Sequence, residues 1–208
     1  MFFKNRKDAG EQLGKALDKY NSKDTVVLGI PRGGVVVAAE VARVIGAPLD
    51  VIIPRKLGAP HNPEVAIGAV TQDGTIIRDE IMVKRLGLSE GQLVNMAEEV
   101  YDEIDRRIQK YRNGRAGLDL TGKIVIVVDD GIATGFTVLA ALQSVRNSGA
   151  SKVVLGVPVA PADTLSTFRE TVDDLVCLES PEVFYAVGQF YNDFDQTSDQ
   201  EVISLLSY

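Results

Sequence analysis

Val127-Val128-Asp129-Asp130-Gly131-Ile132-Ala133-Thr134-Gly135-Phe136-Thr137 is the stretch on which the reading of this chain turns. A strand, 123–128, whose last five residues are an unbroken apolar run, feeds two adjacent carboxylates, then a loop of small residues, then a helical pattern reaching about 147, with Gly149 to end it. A wholly apolar run of this length fits a strand covered on both faces, as in a parallel sheet. Its end places Asp129 and Asp130 at the rim of that sheet. Adjacent carboxylates can accept hydrogen bonds from vicinal hydroxyls or hold hydrated Mg²⁺. The loop and helix start offer free amide N–H groups and a positive dipole end, and Thr134 and Thr137 add hydroxyls. Carboxylates beside an anion cradle suit a sugar phosphate. Taken alone, Asp-Asp-Gly is an ordinary turn sequence.

Upstream, residues 5–20 carry helical spacing on Ala9, Leu13, Ala16, Leu17 and Tyr20. Residues 25–30 form a second apolar run that ends in Pro31-Arg32-Gly33-Gly34. A buried helix, 35–45, and a strand, 49–53, follow. Strand, glycine turn, helix and strand make a parallel crossover unit. Gly33 lets the backbone approach a ligand, and Arg32 supplies forked donors for phosphate oxygens. Residues 55–80 break this rhythm. They open on Arg55 and Lys56, hold Pro60, His61, Pro63 and Glu64, and contain Gln72-Asp73-Gly74, a hairpin signal. The expectation is a loop plus hairpin projecting from the core. Lys56 can neutralise a leaving group, and Glu64 can accept a proton when the loop closes. His61, the only histidine, reads as exposed, and Cys177 as an apolar strand residue.

Residues 89–112 form the longest helix, with Ser89 and Gln92 as its capping box. Strands at 152–157 and 175–178 flank a helix at 161–170, and a last helix follows 197 or 198. The fold class is therefore α/β: a doubly wound, mainly parallel five-stranded sheet with helices on both faces, a flexible loop or hairpin and a small hood. Ligands of such sheets bind at the carboxyl ends of the strands. One domain, 1–208, is expected, with a core at about 21–178 and a hood from 1–20, 55–88 and 184–208. Tyr185, Phe190 and Tyr191 in the tail could stack a flat ring, though core packing is the favoured reading.

The chain has 208 residues, 45% of them hydrophobic and 25% charged, which excludes a disordered or fibrous protein. Its 22 Lys and Arg against 29 Asp and Glu give a charge of −7, with no basic block, so nucleic acid is not an expected partner. Cys177 is the only cysteine, which removes intrachain disulfides and cysteine-cluster metal sites and suits a reducing compartment. The first fourteen residues lack the apolar core of a signal peptide, and no run has the length of a membrane span. A cytoplasmic protein with no membrane partner is the expectation.

VVDDGIATGFT resembles the signature of the type I phosphoribosyltransferases, which bind 5-phosphoribosyl 1-pyrophosphate (PRPP). GIPRGG resembles their pyrophosphate loop, and residues 55–80 fall where their flexible catalytic loop lies. The resemblance covers about 25–177. It implies that Asp129 and Asp130 hold the ribose 2- and 3-hydroxyls, directly or through Mg²⁺. It also implies that Gly131, Ala133, Thr134, Gly135, Phe136 and Thr137 cradle the 5-phosphate, and that Arg32, Gly33 and Lys56 meet the pyrophosphate. A non-proline cis peptide is frequent in that loop of the family. The implied activity is transfer of the phosphoribosyl group to a nitrogenous base or amine in nucleotide metabolism, with Mg²⁺ as cofactor; a homodimer is implied by the resemblance alone. Ala133 stands where the hypoxanthine-guanine enzymes have an Asp, so the acceptor stays open. A non-catalytic PRPP-binding regulator is the alternative. A phospho-receiver domain fits poorly, because its acid pair follows the first strand, and a dinucleotide-binding dehydrogenase would need a glycine fingerprint that is missing.

Overall fold

The computed structural model describes residues 3–133 and 135–207. Five parallel strands form the central sheet: β1 (Thr25–Gly29), β2 (Leu49–Val51), β6 (Ile124–Val128), β7 (Lys152–Val159) and β8 (Asp174–Glu179), in the order β2-β1-β6-β7-β8. The apolar runs become strands because they alternate between two covered faces. Val125 and Val127 join Val26 and Leu28 against α5 (Phe136–Asn147) and α6 (Ala162–Arg169). Ile126 and Val128 turn the other way, with Val27 and Val154, against Leu13 of α1 (Arg6–Ala16), Leu17 at its carboxyl cap, and Val37 and Val41 of α2 (Gly33–Ile45). The doubly wound parallel sheet is thus as expected. The helix at the amino end packs Leu13 onto one sheet face.

The order of the strands locates the site. From β1 the chain crosses through α2 outward to β2; from β6 it crosses through α5 the opposite way to β7. β1 and β6 are neighbours, with Gly29 paired to Val128 in register. Their two following loops therefore diverge from one point and leave a crevice between them, the topological switch point at which ligands of open α/β sheets bind.

The 55–80 segment is more ordered than a projecting loop and hairpin. It forms an antiparallel sheet of β3 (Arg55–Ala59), β4 (Asn62–Val70) and β5 (Ile76–Arg78). The turn at Gln72-Asp73-Gly74 lies where Asp-Gly places it, and the Asn147 amide donates to the Thr75 hydroxyl at 3.0 Å, tying the hairpin to the end of α5. Arg55–Ala59 became a strand because Leu57, with Ile67 and Val70 of β4, packs onto Leu93, Ala97 and Ile104 of α4 (Glu90–Arg112). The short α3 (Glu80–Arg85), capped by Asp79, joins the two. α4 has the expected capping box of Ser89 and Gln92. The tail ends in α7 (Asp199–Leu206), which adds Val202 and Leu206 to this second core. No helix among the described residues is long and apolar enough to cross a membrane.

Candidate active site

A cavity of about 450 Å³ opens at the switch point, lined by Ile30–Gly33 of the first loop, Pro54, Arg55, Lys56 and Pro63 of the β3–β4 arm, and Asp129, Asp130 and Thr137. The crevice thus gathers Arg32, Gly33, Lys56, both acids and Thr137 from four parts of the chain. Phe136 is the first residue of α5, and Gly135 its cap, at φ 84°. A Cβ on Gly135 would sit 2.8 Å from the Phe168 ring, so the loop needs glycine there for both conformation and space. Gly131 and Ile132 are buried under the loop, and Ala133 is exposed on it. Thr134 and the side chain of Glu64 lie outside the described residues. Glu64 belongs to β4 and follows Pro63 of the cavity wall.

The two helices that begin at this crevice differ from most others in the chain. α1, α3, α4 and α7 each have a side-chain N-cap, from Asn5, Asp79, Ser89 and Ser198. α2, preceded by Arg32, and α5, preceded by Gly135, have no side-chain cap; α6, behind Pro161, also has none. Among the described residues no side chain caps the first N–H groups of α2 or α5, although the Val35 N–H turns back to the Arg32 carbonyl at 3.1 Å, and both dipole ends favour an anion. The Pro31–Arg32 peptide is cis, as the resemblance implied.

The acid pair sits at low solvent exposure. Asp129 accepts from the Asp130 amide at 2.8 Å. Burial, and then the neighbouring Asp130 carboxylate, push Asp129 well above the ordinary carboxylate range. Burial raises Asp130 as well, against the opposing pull of Arg6. Gly33 lies hard against this carboxylate: a Cβ there would come within 2.0 Å of Asp130 Oδ2. The donor set is two carboxylates, and no cluster of three or more metal-ligating side chains occurs among the described residues. That fits Mg²⁺, which keeps waters and is held by one or two carboxylates together with substrate phosphates.

Two residues at this site, Arg6 and Phe194, escaped sequence reasoning, and a third, Tyr191, was read only as a ring that stacks or packs. Arg6, in the first turn of α1, donates through Nε to Asp130 Oδ2 at 2.7 Å. Tyr191 donates its hydroxyl to the Asp130 carbonyl at 2.6 Å. Phe194 lies under the Arg6 guanidinium, 3.8 Å from its centroid. These come from the two ends of the chain, joined by a bridge between Phe3 and Tyr191. Nothing in the local sequence marks Arg6; only the aromatic clustering at 184–194 was a signal, and it pointed to packing. Phe190 and Tyr191 are indeed buried, whereas Tyr185 is 87% exposed. Arg32 faces Asp199 at 3.8 Å. His61 is exposed in the β3–β4 turn, and Cys177 is partly buried in β8.

A crevice at the switch point of a doubly wound parallel sheet, holding an acid pair and a basic arm, marks an α/β protein of the kind that binds its ligand at the carboxyl ends of the strands. The family model for the phosphoribosyl transferase domain matches residues 4–195, and the chain belongs to that family. It is 47% identical over 204 residues to two Mycobacterium tuberculosis proteins, "Putative phosphoribosyl transferase MT0597" and "Putative phosphoribosyl transferase Rv0571c". The alignments cover 98% of this chain and 46% of each of those, so the chain spans about half the length of the curated relatives it matches. Among solved structures, TT1426 from Thermus thermophilus is similar with 39% identity and a TM-score of 0.85, over 99% of this chain and 98% of that one. The purine phosphoribosyltransferase from Pyrococcus horikoshii shares the fold at 18% identity and a TM-score of 0.51, over 91% and 89% of the two chains.

Proposed function

We propose that this chain transfers the 5-phosphoribosyl group of PRPP to a ring nitrogen or amine and releases pyrophosphate. The carrying observation is the convergence of Asp129 and Asp130 with the uncapped starts of α2 and α5 around one cavity that also receives Lys56. In this reading the acids accept the ribose 2- and 3-hydroxyls. Gly131, Ala133, Thr134, Gly135, Phe136 and Thr137 cradle the 5-phosphate, and Arg32 and Gly33 bind the pyrophosphate. The acceptor nitrogen forms its bond to the anomeric carbon on the face opposite pyrophosphate. The C–O bond breaks toward the departing oxygen, which takes the electron pair, through an oxocarbenium-like transition state.

The protein supplies orientation and charge. Lys56 and Arg32 oppose the negative charge that builds on pyrophosphate, and fixed donors act best where water is excluded. Asp129 and Asp130 would hold Mg²⁺, directly or across water, and the bound ion would supply further charge neutralisation at the pyrophosphate. Glu64, next in sequence to Pro63, would accept the proton of the acceptor nitrogen. Within the family a donor-sensing protein without turnover is the second possibility; retention of Arg32 and Lys56 in the cavity favours the transferase.

Calorimetry with PRPP and Mg²⁺ tests the reading. Asp130→Asn should weaken donor binding by about 1.5–3 kcal/mol, the worth of hydrogen bonds to a charged group. Unchanged affinity removes the basis of the assignment. Pyrophosphate release from PRPP with a panel of bases and amines separates enzyme from sensor.

A further inference from the structure

Two adjacent, poorly solvated carboxylates need a counter-charge, and the fold supplies one from an unexpected place. Arg6 is fixed on three sides: Nε donates to Asp130 Oδ2 at 2.7 Å, Nη1 donates to the Asp195 carbonyl at 2.7 Å, and Cζ lies 3.8 Å above the Phe194 ring. Its side chain is only 12% exposed. A guanidinium held in this way is preorganised. The loop after β1 closes the remaining side, because a Cβ on Gly33 would lie 2.6 Å from Arg6 Nε. The residue therefore meets the acid loop, the glycine loop and the tail at once.

An oxygen that holds a guanidinium is a poor ligand for a dication. The two charges would sit within a few ångströms of each other and repel. We infer that Arg6 is a positioning residue that occupies Asp130 and keeps the acid pair from collecting a divalent cation while no donor is bound. The inference rests on the acid pair being the ligand-binding end of the site, as proposed above. It assigns Arg6 a role toward the ion and none in bond making.

Mn²⁺, titrated into the full chain with no donor present and followed by electron paramagnetic resonance, tests it. Arg6→Gln should bind the ion at least about tenfold more tightly than the wild type, because one positive charge beside the carboxylate is gone. Adding Asp129→Asn to that variant should abolish the gain, which locates the ion at the acid pair. Arg6→Lys should restore the wild-type affinity, a rescue that a loss of packing alone would not produce. Equal Mn²⁺ affinity in wild type and a folded Arg6→Gln overturns the inference. Should Arg6→Gln fail to fold by circular dichroism, wild type and Asp130→Asn decide the matter. Weaker Mn²⁺ binding in Asp130→Asn shows that the wild-type pair already collects the ion and overturns it; equal binding supports it. Because no donor is used, a negative outcome counts against Arg6 alone, and the transferase reading stands or falls on the calorimetry.

Discussion

The Tyr191 hydroxyl donates to the main-chain carbonyl of Asp130 at 2.6 Å. A residue near the end of the chain thereby fixes the backbone of the acid pair, while Arg6 near the beginning fixes its side chain. Burial and the nearby Asp130 raise the Tyr191 phenol above its ordinary range, so it stays a donor at neutral pH. Tyr191→Phe removes one hydrogen bond and leaves a carbonyl without that partner. A loss of about 1 kcal/mol in urea unfolding is expected, with weaker donor binding by calorimetry. A variant equal to wild type in both would show that the tail does not steady the loop.

Gly33→Ala tests the closeness of the first loop to the acids. Asp130 Oδ2 and Arg6 Nε would lie 2.0 and 2.6 Å from the new Cβ, and both groups are held by each other. Overpacking of this kind costs about 1–3 kcal/mol. Donor affinity should fall further than in Gly91→Ala, where a Cβ meets nothing within 4 Å and the helix should be slightly stabilised. Equal affinity in the two variants would contradict the packing described here.

Asp174 governs part of the acid stability. The Lys19 ammonium, 2.6 Å away, and the Tyr20 hydroxyl bond its carboxylate and lower it to about 2. A carboxyl whose folded value is depressed contributes stability that is complete above its unfolded value, about 3.9, and is lost as pH falls toward the folded one. Urea midpoints of the wild type should drop between about pH 4 and pH 2 more steeply than those of Asp174→Asn. Parallel curves would rule out this contribution.

Cys177 should be inert. Burial pushes its thiol up to about 11, and the S–H donates to the Glu179 carbonyl at 3.1 Å. A thiol raised this far stays protonated at pH 7. Alkylation of the native protein by iodoacetamide should be far slower than of the urea-unfolded chain. Comparable rates would mean that the β8 edge opens readily.

Much of this architecture was readable because its signals are local. Val125 to Val128 alternate between two apolar faces in a run too short for a buried helix, and the Asp-Asp start of the following loop marks the strand's end. Ser89 announces its helix by a cap that needs only Gln92. Arg55–Ala59 was harder, since glycine, proline and charge mask a strand that exists only because Leu57 finds the α4 surface. Arg6 was invisible, because its partner is 124 positions away.

Order along the chain was enough to set the crossover units, the acid pair at a strand end and the glycines that let loops pass close by. Each depends on neighbours along the chain, whose spacing and backbone preferences act before any distant contact forms. Packing between distant segments chose which acid meets a cation, which helix starts lack a side-chain cap and which aromatic carries the guanidinium. Those choices follow from a strand order that sends the chain both ways from β1 and β6, and from the burial that brings the two chain ends together over the crevice.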